Sequence, residues 1–117
     1  MKKILIVDDE PDIVDLLQEE MDDNGFQTRI ALCGNDAIEL LRSELFHAVI
    51  SDFKMPNGTG MDVLNFINSM ESRPMFYFIS GQADVSAEMA IKAGAQDFFP
   101  KPFNLSKLVE RINSDLF

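Results

Sequence analysis

Four places in this 117-residue chain hold side chains able to handle a charged oxygen group. They are the acidic run Asp8-Asp9-Glu10, Asp52 within ISDFKMPNGTG, the pair Ser80-Gly81, and Lys101 just before Pro102. Each lies at the carboxyl end of an apolar run. Two unit charges about 4 Å apart repel by roughly 4 kcal/mol at an effective dielectric near 20, so Asp8, Asp9 and Asp52 in one cleft need a cation to stay ionised together. With hard oxygen donors and no His or Cys cluster beside them, that cation is better Mg²⁺ than Zn²⁺. Ser80 offers a hydroxyl donor, Gly81 leaves space, Lys101 is a compact positive charge suited to an anionic oxygen, and the Asp52 carboxylate can act as a nucleophile. These are parts for placing a phosphoryl group.

Taken singly, each residue also has an ordinary structural role. Asp9 sits where a helix N-cap belongs, Asp52 could form an Asx turn ahead of Pro56, Ser80 could simply end a strand, and Lys101 could be a solvated surface charge. Glu10 reads as a favourable helix-start charge rather than a third metal ligand. The functional reading rests on coincidence: four separate strand ends bring complementary chemistry to one edge.

The elements that must position them alternate along the chain. Strands are expected at 3–7, Phe26–Ile30, His47–Ser51, Met75–Ile79 and Asp97–Phe99. Ile13, Leu16, Leu17 and Met21 mark a first helix running from Asp9 and Pro11 to Asn24-Gly25. Ala37, Ile38 and Leu41 mark a second helix, and Val63, Leu64, Ile67 and Met70 a third that opens after Gly60. The fourth is expected over 85–92, and Leu105, Leu108, Val109, Ile112 and Leu116 mark the last. This alternation favours a flavodoxin-like, doubly wound α/β fold: a five-stranded parallel sheet of order 2-1-3-4-5 between helical layers, five helices in all. Continuous apolar strands belong at its centre, and the alternating second strand at an edge. Ligands in such sheets bind beyond the carboxyl ends of the strands where strand order reverses, which is between strands one and three.

Composition narrows the partners. A formal net charge of -10 argues against direct binding to nucleic acid or an anionic membrane, both of which select clustered Lys and Arg. The single Cys33 cannot form an internal disulfide and reads as a small packing residue in a reducing compartment. The apolar run after Met1-Lys2-Lys3 is too short for an export signal, and no stretch reaches membrane-spanning length. The expectation is a single domain over 1–117, soluble and cytoplasmic, with Met1-Lys2-Lys3 leaning toward a natural N-terminus. His47 begins a strand at the end opposite the acids and reads as structural or surface-exposed. Most Met and Phe residues fit core positions, with Met89 and Phe98 bordering a candidate partner surface.

The whole chain resembles the receiver domain of two-component response regulators. The resemblance rests on Asp8-Asp9, Asp52 with Met55-Pro56 and Gly60, Ser80-Gly81, and Lys101-Pro102-Phe103, in that order. It implies that Asp52 accepts a phosphoryl group from the phosphohistidine of a sensor histidine kinase or phosphotransfer protein. It implies direct Mg²⁺ binding by Asp9, Asp52 and the main-chain carbonyl of Lys54, with Asp8 acting mainly through water. Lys101 would contact the phosphoryl group, its bond to Pro102 would be cis, Ser80 would move toward a phosphoryl oxygen, and Phe98 would turn inward as the second switch residue. Many relatives carry Tyr at the position of Phe98, so a hydroxyl contact is absent while the steric part of the switch is kept. The helix-four, strand-five, helix-five surface would then control a downstream partner or output domain, and is compatible with homodimerisation.

Such a module promotes its own phosphotransfer and autodephosphorylation without being a turnover enzyme. A Mg²⁺-dependent aspartyl-phosphate phosphohydrolase would need a second acid near the nucleophile and a cap; Lys54 stands two residues after Asp52, and 117 residues leave no room for a cap. A flavodoxin-like cofactor carrier would need a phosphate loop where Asp8-Asp9-Glu10 stands, and those acids repel phosphate. A receiver-like interaction domain that is not phosphorylated would not need the acids, Ser80 and Lys101 together.

Overall fold

Side-chain alternation along each central strand determines which helical layer it faces. In the computed structural model, which describes residues 1–81 and 86–117, the strands are β1 (Lys3–Val7), β2 (Gln27–Ala31), β3 (Ala48–Asp52), β4 (Met75–Ser80) and β5 (Asp97–Pro100). They form one parallel sheet of order β2-β1-β3-β4-β5. The helices are α1 (Pro11–Asp23), α2 (Gly34–Ser43), α3 (Gly60–Asn68), α4 (Ala87–Lys92) and α5 (Leu105–Leu116). Leu5, Val7, Val49, Phe76 and Phe78 meet Ala37, Leu41, Val63, Leu64, Ile67 and Ala90 from α2, α3 and α4. Ile4, Ile6, Ile50, Tyr77 and Ile79 face Val14, Leu17 and Met21 of α1 and Leu108, Val109 and Ile112 of α5. A strand covered on both faces has no polar side to offer, which is why β1 and β4 read as unbroken apolar runs.

The expected sheet order and element count hold, with small shifts at the boundaries. β2 begins one residue later than expected because Phe26 turns into the core, its N–H donating to the Met21 carbonyl at 3.1 Å. Asp52 and Pro100 are the last residues of their strands rather than the first residues beyond them, and Ser80 closes β4 as expected. The N-cap of α1 is Glu10, not Asp9: Pro11 takes the first helical position, and a residue before proline is held extended, as Glu10 is at φ -94° and ψ 111°. The fourth helix is described from Ala87, capped by Ser86; Val85, where it was expected to open, lies outside the described residues. Cys33 is buried, and its Sγ accepts from the Asp36 N–H at 3.5 Å as the cap of α2. At the opposite end of the sheet from the acids, His47 Nδ1 accepts the Lys3 N–H at 2.9 Å, a structural role. Among the described residues, no helix is long and apolar enough to cross a membrane.

α5 is tied to the sheet by a polar network as well as by packing. The fully buried Tyr77 hydroxyl donates to Asp115 at 2.6 Å, and Arg111 bridges Asp115 at 2.9 Å to Asp97 at 2.7 Å. Burial, reinforced by the hydrogen bond to Asp115, pushes the phenol above its usual range, so it remains a donor. Tyr77→Phe removes that donor but leaves Asp115 paired with Arg111. The expected cost is about 1–2 kcal/mol in urea unfolding, without change in any reaction at the acidic edge.

Candidate functional site

Parallel register carries the strand ends to a common rim. Val7 pairs with both Ala31 and Ser51, Asp52 with Ile79, and Ser80 with Pro100. The chain leaves β5 with the Lys101 N–H donating to the Ser80 carbonyl at 2.8 Å, and the Lys101–Pro102 peptide is cis. The Lys101 ammonium thereby returns over the first and third strands. Its Nζ lies 3.2 Å from Asp8 Oδ2, 3.1 Å from Glu10 Oε1 and 3.4 Å from Asp52 Oδ2. The other oxygens of the two buried acids accept main-chain N–H groups, Asp8 Oδ1 from Glu10 at 3.0 Å and Asp52 Oδ1 from Phe53 at 2.9 Å.

Three carboxylates therefore share one ammonium. Asp8 is fully buried and Asp52 nearly so, while Glu10 is exposed. Burial pushes the Asp8 carboxyl above the ordinary carboxylate range despite the Glu10 N–H and Lys101. Burial and then the Asp8 charge do the same to Asp52, again opposed by Lys101. For Lys101, burial pulls downward, but the Glu10 hydrogen bond and the charges of Asp52 and Asp8 outweigh it, and the ammonium is held above its usual range. The edge is thus electrostatically unfinished, with more buried negative charge than one Lys offsets.

A cavity of about 220 Å³ opens over these groups, lined by Asp9, Glu10, Asp52, Lys54, Gly81 and Lys101. Carboxylate oxygens of Asp8, Glu10 and Asp52 lie within 4.8 Å of one another. This hard, anionic oxygen set fits a small divalent cation and Mg²⁺ in particular. Of the residues expected at the site, the structure gathers Asp8, Asp52 and Lys101 in direct contact. Asp9 and Lys54 line the cavity, and Ser80 is buried beside it at the end of β4. Phe98 is half-buried and packs on the core under α3 and α4.

Glu10 is the residue sequence reasoning undervalued. As N-cap it makes no side-chain capping bond; its carboxylate reaches Lys101 instead. The signal was the three consecutive acids before Pro11, since a proline at the first helical position fixes which of them stands at the helix mouth. The Thr59–Asp62 capping box was a second unread signal. Thr59 Oγ1 accepts from the Asp62 N–H at 3.2 Å while Asp62 Oδ2 accepts from the Thr59 N–H at 2.9 Å, which fixes where the loop after Asp52 ends. A second hollow of about 390 Å³ borders Lys101 on its other side, and its wall is apolar: Ile13, Leu16, Pro102 and Phe103.

Comparison with known proteins agrees with this geometry. The family profile for the response regulator receiver domain matches residues 4–113. The response regulator TrrA from Thermotoga maritima, solved in complex with Mg²⁺-BeF, is 30% identical with a TM-score of 0.87, over 97% of this chain and 98% of that one. A CheY-like receiver domain protein from Methanospirillum hungatei is 26% identical with a TM-score of 0.91, over 99% of this chain and 94% of that one. NtrX from Brucella abortus, solved with ADP, is 31% identical with a TM-score of 0.88; the match covers 99% of this chain but 27% of NtrX. A profile match across nearly the whole length, on a sheet that brings two buried acids and a lysine to one rim, places the chain in the response regulator receiver domain family.

Proposed function

We propose that this receiver domain is a phosphorelay switch in which Asp52 accepts a phosphoryl group from the phosphohistidine of a sensor histidine kinase or phosphotransfer protein. The observation that carries the reading is the Lys101 ammonium poised within 3.4 Å of Asp8, Glu10 and Asp52 on a rim with room above it. An Asp52 carboxylate oxygen attacks phosphorus. The new O–P bond forms as the P–N bond breaks, and the departing imidazole nitrogen keeps the electron pair. Asp9, Asp52 and the main-chain carbonyl of Lys54 would hold Mg²⁺, with Asp8 mainly through water; when bound, the ion neutralises charge on the transferring oxygens. Lys101 exchanges its carboxylate partners for a phosphoryl oxygen, so positive charge is already in place when the anion arrives. The apolar hollow shares Lys101 with the acidic cavity, which would seat a phosphodonor protein directly beside the acceptor.

The transferred group is then read out through Ser80 and Phe98. Ser80 ends β4 next to Asp52, and Phe98 pairs with Phe78 in the adjacent strand. A Ser80 hydroxyl drawn to a phosphoryl oxygen and a Phe98 ring turned inward would shift the α4–β5–α5 face between two populations. That face would meet a downstream effector or output domain, or a second copy of the chain. The domain acts here as a signalling module in the cytoplasm that catalyses its own modification and not as a turnover enzyme.

Incubation with acetyl phosphate and Mg²⁺ tests this directly by intact mass. One phosphoryl adduct is expected, absent in EDTA, cleaved by hydroxylamine as an acyl phosphate must be, and mapping to the peptide that contains Asp52. An adduct on another residue, or one indifferent to Mg²⁺, defeats the assignment.

A further inference from the structure

The loop from Asp52 to Gly60 is fastened to a helix that takes no part in the site. The first two N–H groups of α2 donate into it, Gly34 to the Gly58 carbonyl at 3.0 Å and Asn35 to the Asn57 carbonyl at 2.9 Å. These are helix-start donors without partners inside their own helix, so the loop satisfies α2 while α2 holds the loop. The approach is close enough to demand glycine on both sides. A methyl at Gly34 would lie 2.6 Å from the Gly58 carbonyl carbon and oxygen, and one at Gly58 would lie 2.9 Å from the Asn35 nitrogen. Asn57 adopts φ 55° and Gly58 φ 107° to present those carbonyls.

The same loop is pinned at its other points. Met55 is buried in the core, and the Gly60 N–H donates to the Phe53 carbonyl at 2.8 Å. Lys54 lies between these anchors and borders the acidic cavity. Its freedom is therefore set partly by α2.

We propose that the Gly34–Gly58 contact, with Asn57, is a positioning element for the divalent-cation site: α2 holds the Asp52–Gly60 loop in place, and loosening that contact weakens Mg²⁺ binding although no acid is touched. The inference rests on the metal site proposed above. It makes the β2-side edge of the sheet, opposite the α4–β5–α5 face in strand order, a second place from which the site is set. Whatever displaces the start of α2 lowers cation affinity.

The test is Mg²⁺ titration by calorimetry alongside thermal melts in EDTA. Gly34→Ala is expected to raise the Mg²⁺ dissociation constant about tenfold, the size usual for residues that orient metal ligands. Ile112→Val in the core on the other face of the sheet should lower the melting temperature and leave the dissociation constant unchanged. Wild-type affinity in Gly34→Ala, or an equal loss in Ile112→Val, overturns the proposal. Should Gly34→Ala fail to fold, Asn57→Gly decides: glycine accepts the positive φ but frees the loop, and a rise of about threefold is expected, whereas no change overturns the proposal. Wild-type protein that binds no Mg²⁺ defeats the metal site itself, which separates that failure from this one.

Discussion

Lys101→Ala should both unsettle the Mg²⁺-free domain and nearly silence it. The Lys101 side chain is 15% exposed, against 0% for Asp8 and 8% for Asp52, so its removal leaves two buried carboxylates facing each other without a counter-charge. Breaking a buried pair from one side costs about 3 kcal/mol at neutral pH. The pH dependence has a definite sign. Both carboxyls already titrate above their ordinary range because they are buried, and loss of the ammonium raises them further. The folded state then binds protons more tightly than the unfolded state, so stability falls as pH rises through that window and returns as pH falls. Urea unfolding in EDTA at pH 5 and pH 7 measures this, with the deficit larger at pH 7. Labelling by acetyl phosphate should slow by about 100-fold, the usual loss for a charge aimed at a transferring oxygen. A variant as stable as wild type at neutral pH would show that the ammonium does not hold these acids together.

Asp52→Asn should separate function from stability in opposite directions. It removes the proposed nucleophile, so no phosphoryl adduct is expected at any donor concentration. It also removes a carboxylate that burial and Asp8 both disfavour, while Lys101 keeps Asp8 and Glu10. Without Mg²⁺ at pH 7, the variant should be more stable by on the order of 1 kcal/mol, about 4 °C in melting temperature for a domain of this size. The gain should shrink as pH falls and Asp52 in the wild type becomes protonated. Mg²⁺ should stabilise wild type, since it binds the folded state alone, and should do little for the variant. Undiminished labelling of Asp52→Asn would remove Asp52 from its role.

Much of this was legible in the residues because strand chemistry is local. Ile4-Leu5-Ile6-Val7 and Met75-Phe76-Tyr77-Phe78-Ile79 announce strands covered on two faces. Gln27-Thr28-Arg29-Ile30 announces an edge, and its burial does alternate. Sheet order then brought Asp8, Asp52 and Lys101 to one rim without knowledge of a single distance. What escaped notice depends on packing between distant segments. The Tyr77–Asp115 hydrogen bond spans 38 positions and requires the docking angle of α5. The Gly34–Gly58 approach requires the relative height of a helix and a loop, which no periodicity encodes. Glu10 stood in plain view, but its direction depended on Pro11 setting the helix start.

The residues that enter the strands lie on the far rim, away from Asp8, Asp9, Glu10 and Asp52, and that rim gives the molecule a convenient handle. Glu71, Ser72 and Arg73, ahead of β4, are exposed, and Cys33, the chain's sole thiol, is buried. A Ser72→Cys variant would therefore carry one accessible sulfur for attachment to a sensor chip or a dye. Tethered there, the domain would present its acidic cavity to the solution phase, and donor, ion and partner could each be followed on a single oriented surface.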